Sequence, residues 1–174
     1  MITTLLQLHK SIDRFSQFSG LILSGVSLLM MLTLCTVVLL RYGFDIGIIA
    51  MQELVSYLHA SVFMLGVAYT MQQDGHVRVD IFYRNFSPRA KAWVNSLGGL
   101  VFLLPLCGYF LLSSLEFVAQ SWSIFESSPE PGGIAAVFLL KSLIPLMAIL
   151  LSLQAVADIL RNALLLMATD NRKP

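Results

Sequence analysis

The sequence predicts an all-α integral membrane protein of four transmembrane helices, with amphipathic interfacial segments at the N-terminus and between helices two and three. Three observations predict it. Of 174 residues, 57% are hydrophobic and 12% charged, against about 25% charged in a soluble domain. Long charge-free stretches recur: 26 residues between Arg14 and Arg41, 20 between Glu53 and Asp74, 24 between Lys91 and Glu116, and 16 between Lys141 and Asp158. A helix needs about 20 apolar residues to cross a bilayer core. The fourth stretch reaches that length when extended upstream through Ile134–Leu140 with Lys141 snorkelling to the interface. Third, the eleven Lys and Arg divide unevenly among the segments between these stretches.

That division sets an expected orientation. Lys10 and Arg14, the four basic residues between Arg78 and Lys91, and Arg161, Arg172 and Lys173 make nine on one side; Arg41 and Lys141 make two on the other. Basic residues stay inside, so both termini and the second loop are expected in the cytoplasm. The first loop (about 42–50) and the third (about 117–135) then face outward, the third with Glu116, Glu126 and Glu130 around it.

The whole chain, 1–174, reads as one membrane domain. Residues 2–17 place Leu5, Leu8, Ile12 and Phe15 at spacings of three and four, the pattern of an amphipathic helix lying in the interface or of a plain extension of helix one. Helix one is expected over 18–41 as an uncleaved signal anchor, because its apolar run exceeds that of a signal peptide and lacks a small-residue cleavage site. Gly20 and Ser24 are four apart, a spacing that lets helices approach closely in lipid. Helix two is expected over 50–72. Its Gln52, Ser56 and His59 share a face, with Glu53 one step around, and that polar face is expected to meet protein rather than lipid.

The second loop mixes charges with Ile81, Phe82, Tyr83 and Phe86, as expected of a segment on the membrane surface. Ser87-Pro88 is a helix start. Helix three is expected over 89–121, bracketed by Trp93 and Trp122, with Pro105 as a kink site. ESSPEPGG, residues 126–133, holds two Pro and two Gly and breaks regular structure. Helix four is expected over 136–160, continuing as far as Met167, with Asp158 and Arg161 placed to pair.

The chemistry is sparse. A net charge of +1 excludes a basic face for nucleic acid. Cys35 and Cys107 lie in apolar segments without a CxxC neighbour and read as small buried hydrophobes. No nucleophile elbow or phosphate loop is present, and the chain reads as non-enzymatic with no cofactor of its own. A bis-histidine haem needs two ligands at one depth, and His59 alone lies within a span. Glu53, near the outer end of helix two, has Arg41 as its candidate partner. It reads as a structural ion pair, as a solvated charge, or as an ion-coupling carboxylate.

Several short segments carry a resemblance: Arg41-Tyr42-Gly43-Phe44, Gln52-Glu53-Leu54, Gly66-Val67-Ala68, His76-Val77-Arg78-Val79-Asp80, the ESSPEPGG loop, and Lys141, Pro145, Gln154 and Arg161 in helix four. Over residues 20–161 the chain resembles the small (Q-type) membrane subunit of tripartite ATP-independent periplasmic (TRAP) transporters. The resemblance implies a multi-pass protein of the bacterial inner membrane. It implies a large permease subunit that carries the transport path and the sodium sites, and a periplasmic binding protein that delivers an organic acid. This chain would be a scaffold, with Glu126 and Glu130 as candidate docking residues for the binding protein and Arg41, Gln52, Glu53, His59, His76, Asp80, Lys141, Asp158 and Arg161 as interface or structural candidates. Where the family pattern commonly has an acidic residue beside Glu53, this chain has Gln52. Two other readings stay open on the residues alone: a small multidrug-type proton antiporter using Glu53, and a redox subunit binding haem or quinone.

Overall fold

A computed structural model describes the backbone of residues 2–77 and 81–170 and the side chains of 7–77 and 81–167. Helix α1 runs Ile2–Phe44 and α2 runs Ile49–Gln72. After a short 3-10 turn at Tyr83–Asn85, α3 (Pro88–Gly98) passes through a π turn at Gly99–Leu103 into α4 (Leu104–Ser123), and α5 covers Val137–Asp170. No strand occurs among the described residues. Four rods are long and apolar enough to cross a membrane: Gln7–Phe44, Ile49–Gln72, Pro88–Ser123 and Val137–Met167. The chain is a multi-pass, all-α membrane protein.

The helix boundaries have local causes. Ser87 caps α3 by accepting from the Ala90 amide at 3.2 Å, with Pro88 at the first helical position, where a missing N–H costs nothing. Pro105 cannot donate to the carbonyl four residues back and crowds it, and the chain widens into the π turn directly before it. Helices α1, α2 and α4 each stop the same way. Asp45, Asp74 and Phe125 take positive φ, and the next amide folds back to a carbonyl five or six residues earlier: Ile46 to Leu40, Gly75 to Thr70, Glu126 to Ser121.

The N-terminal segment is not a separate interfacial helix. It is continuous with α1, because no Pro or Gly precedes Gly20 to break it. Its polarity is also inverted relative to a surface helix of a soluble protein. Ser16 is buried and His9 and Asp13 are largely covered, while Leu8, Phe15 and Phe18 face outward. In lipid the apolar side belongs outside and polar groups seek each other inside. Ile81 and Phe82 in the second loop likewise stand exposed.

Helix α5 is the hub: it packs against α1, α2, α3 and α4, while α1 and α2 pair as a hairpin joined by four residues. The core is built of small groups, Ala68, Ala92, Cys107, Ala148, Ala155 and Ala157, together with Ser16, Ser114, Ser121 and Gln154. Small side chains let backbones close in where no hydrophobic effect drives helices together. Gly20 shows why: a Cβ there would lie 2.5 Å from the Tyr69 ring of α2. Cys107 is buried, whereas Cys35 faces outward from α1, not inward as its apolar setting implied.

Candidate functional site

Two clusters of polar side chains tie the rods together, one at each end of the bundle. At the end formed by the 45–48 and 124–136 loops, the key residue is Glu53 in the second turn of α2. One carboxylate oxygen accepts from the Ser128 hydroxyl and the other accepts from the Ile134 amide at 2.6 Å. The carboxylate thus latches the 124–136 loop to α2. The loop is ordered around this point: Ser128 donates its amide to the Ile134 carbonyl at 3.1 Å, and its hydroxyl accepts from the Glu130 amide at 3.1 Å. Gly133 must be small, because a Cβ would sit 2.5 Å from the Ser128 hydroxyl and 2.7 Å from Glu53 Oε1. The two glycines of ESSPEPGG therefore do different work, Gly132 turning at φ +82° and Gly133 making room for the latch.

Arg41 is not Glu53's partner. Glu53 uses both oxygens on the loop, and Arg41 stands exposed at the end of α1. The basic residue that does find a carboxylate here is Lys141. Its ammonium donates to Glu126 at 2.5 Å and lies 4.1 Å from the centre of the Phe117 ring. The lysine is therefore half-buried and paired with a carboxylate of the 124–136 loop. The Lys141 ammonium holds the Glu126 carboxyl below the usual glutamate range. The Glu126 carbonyl also accepts from the Val137 amide at 3.0 Å, satisfying one orphan donor at the start of α5. Glu130 is exposed, whereas Glu126 is committed to this pair. Glu116 lies within α4, about two turns from its end, and not in the loop.

At the other end the centre is Gln154 of α5, fully buried. Its Oε1 accepts from the Ser16 hydroxyl at 2.7 Å and its Nε2 donates to Asp13 at 3.1 Å. Gln72 of α2 donates to the Asp13 carbonyl at 2.8 Å, and His9 lies 3.1 Å from the other Asp13 oxygen. One junction thereby joins α1, α2 and α5. Asp158 and Arg161, three apart on α5, lie 2.8 Å from each other beside an adjacent cleft of about 460 Å³. Sequence reading picked out Asp158 and Arg161 and missed Asp13, Ser16 and Gln72. The available signal was that a glutamine inside an apolar span must find partners, and helix spacing alone does not say on which helix.

Beyond Gln52 and Glu53, which are half-buried, the polar face of α2 is left uncovered by the described residues. Ser56 and His59 are exposed, and among the described residues neither they nor Gln52 make a side-chain hydrogen bond; the His59 ring stacks on Phe63 at 6.4 Å. His76 is exposed at the mouth of a groove between α1 and α2. Asp80 lies outside the described residues. Among the described residues no three His, Cys, Asp or Glu side chains cluster as a metal site.

The sequence profile of one family, described as the DctQ component of tripartite ATP-independent periplasmic transporters, matches residues 30–165. That range takes in α2, the Glu53 latch, the 124–136 loop, Lys141 and Gln154. No curated protein and no solved structure matches the chain. A four-span helical membrane protein whose polar residues serve helix contacts, matched over most of its length by this profile, belongs to the DctQ component family of tripartite ATP-independent periplasmic transporters and is a transporter component rather than an enzyme.

Proposed function

We propose that this chain is the non-catalytic scaffold of a sodium-coupled, binding-protein-dependent transporter for an organic acid. It sits in the bacterial inner membrane with its termini in the cytoplasm, beside a large elevator-type permease subunit that holds the transport path and the sodium sites. The observation that carries this reading is Glu53. A coupling carboxylate must be free to gain and lose an ion, whereas Glu53 spends both oxygens on Ser128 and Ile134. The same engagement counts against a proton antiporter built on this residue. The latch and the Gln154 junction fix the rods at both ends, which suits a part that stays still while another moves. The exposed Glu130 on the latched loop is the docking candidate for the periplasmic binding protein, and Glu126 supports that loop through Lys141.

The test is Glu53→Gln in the reconstituted three-component transporter, supplied in turn with radiolabelled dicarboxylates, 2-oxo acids and sugar acids to find the transported class. The variant keeps an acceptor for one donor and loses the charge. The expected result is a reduced amount of assembled, active complex with an unchanged sodium-to-substrate ratio. A changed ratio, or sodium-independent uptake, would overturn the scaffold reading.

A further inference from the structure

We propose that the α1–α2 face centred on Ser56, His59 and Phe63 is the seat of a transmembrane helix of the large membrane subunit, which hydrogen-bonds to the His59 imidazole. The argument begins with depth. Helix α2 is 24 residues long, about 36 Å, and His59 lies about 15 Å from its start. That is close to the middle of a hydrocarbon core about 30 Å thick. A polar ring at this depth with no hydrogen-bond partner is costly, and lipid tails offer none. Ser56, three residues earlier, is exposed and equally without a partner among the described residues.

The shape of the face fits a helix. Ser56, His59, Phe63, Gly66 and Thr70 fall at spacings of three, four, three and four, the seam of a helix-helix contact. The lower half of that seam opens into a groove of about 1010 Å³ shared with Gly20, Ser24 and Ser27 of α1. Small residues on both walls permit close backbone approach. By contrast, the exposed stripe of α5 is Leu146, Ile149, Leu153 and Val156, which lipid satisfies fully. A binding protein moves in the aqueous compartment and does not reach mid-bilayer. The remaining protein occupant in a multi-component transporter is its other membrane subunit. The inference rests on the proposed function for the existence of that subunit.

The test uses the complete transporter in native membranes. Benzoylphenylalanine is placed singly at Phe63, Ser56 and, as the lipid-facing comparison, Ile149. Ultraviolet irradiation is expected to join this chain to the large subunit from positions 63 and 56 and to give no protein adduct from 149. The exchange at Phe63 replaces one aromatic ring by another and leaves the packing intact. In parallel, His59→Leu is expected to weaken association of the two subunits in detergent by about three- to tenfold, with His59→Asn restoring much of it, as one interhelical hydrogen bond requires. Adducts between two copies of this chain, adducts with lipid alone from 63 and 56, or unchanged association of His59→Leu would each overturn the inference. Failure of the large subunit to accompany the wild-type chain at all would instead overturn the proposed function.

Discussion

Replacing Gln154 by Met keeps the side-chain length, removes both polar ends, and leaves two groups unmatched. The Ser16 hydroxyl, 2.7 Å from Oε1, loses its acceptor, and the Asp13 carboxylate, 3.1 Å from Nε2, loses a donor. An interhelical hydrogen bond in a membrane protein averages about 0.6 kcal/mol and reaches about 1.7. Leaving a buried partner unsatisfied costs about 1–3 kcal/mol and more where it is charged. Asp13 keeps His9 at 3.1 Å, and among the described residues the Ser16 hydroxyl has no other acceptor, so the expected loss is about 2 kcal/mol, between the single-bond average and the sum of both penalties. Gln154 is fully buried, so water does not repair the deficit. The assay is reversible unfolding in mixed micelles, followed by tryptophan fluorescence and run as a double-mutant cycle with Ser16→Ala. Because Gln154 and Ser16 act through one contact, the double variant should lose less than the sum of the singles, by about 0.5 kcal/mol or more. An additive cycle, or a Gln154→Met loss under about 0.5 kcal/mol, would refute the junction's role in holding α1 to α5.

Three further outcomes are expected. Gly133→Ala forces a Cβ to within 2.5 Å of the Ser128 hydroxyl and 2.7 Å of Glu53 Oε1, so it should release the 124–136 loop, read as faster protease cleavage there, at a stability cost of about 1–3 kcal/mol. Gly20→Ala puts a methyl 2.5 Å from the Tyr69 ring and should part α1 from α2, lowering the unfolding midpoint by a similar overpacking cost of about 1–3 kcal/mol, whereas Gly25→Ala, with nothing within 4 Å, should not. Finally, Lys141 lowers the Glu126 carboxyl relative to its unfolded value. The stability it contributes is therefore complete above the ordinary glutamate value, about 4.3, and is lost as pH falls through the lower folded value. Unfolding titrations should be flat in this respect from neutral to mildly acidic pH and fall below it, and Glu126→Gln should remove that acid limb.

Hydropathy and charge spacing make the four rods legible without coordinates, because crossing a bilayer demands about 20 apolar residues in a row and few other folds do. Ser87-Pro88 and the Pro/Gly-rich ESSPEPGG loop mark a helix start and a break through local backbone chemistry alone. The family was legible too, in short segments such as HVRVD and ESSPEPGG. Pairing was not. Glu53, Arg41, Lys141 and Glu126 all crowd the same end of the bundle, and one-dimensional depth cannot choose among them. Tertiary structure gives Glu53 to Ser128 and Ile134, and gives Lys141 to Glu126. Residues 2–17 show a second limit. Their amphipathic pattern is plain, but its sign depends on the solvent: beside lipid, Phe15 and Phe18 turn outward and Ser16 turns to the core. The sequence by itself therefore determined which segments cross the membrane and which family they form, since both rest on local pattern. Which polar group meets which was decided only when α5 brought α1, α2 and α4 together, because those partners come from helices up to 141 residues apart along the chain.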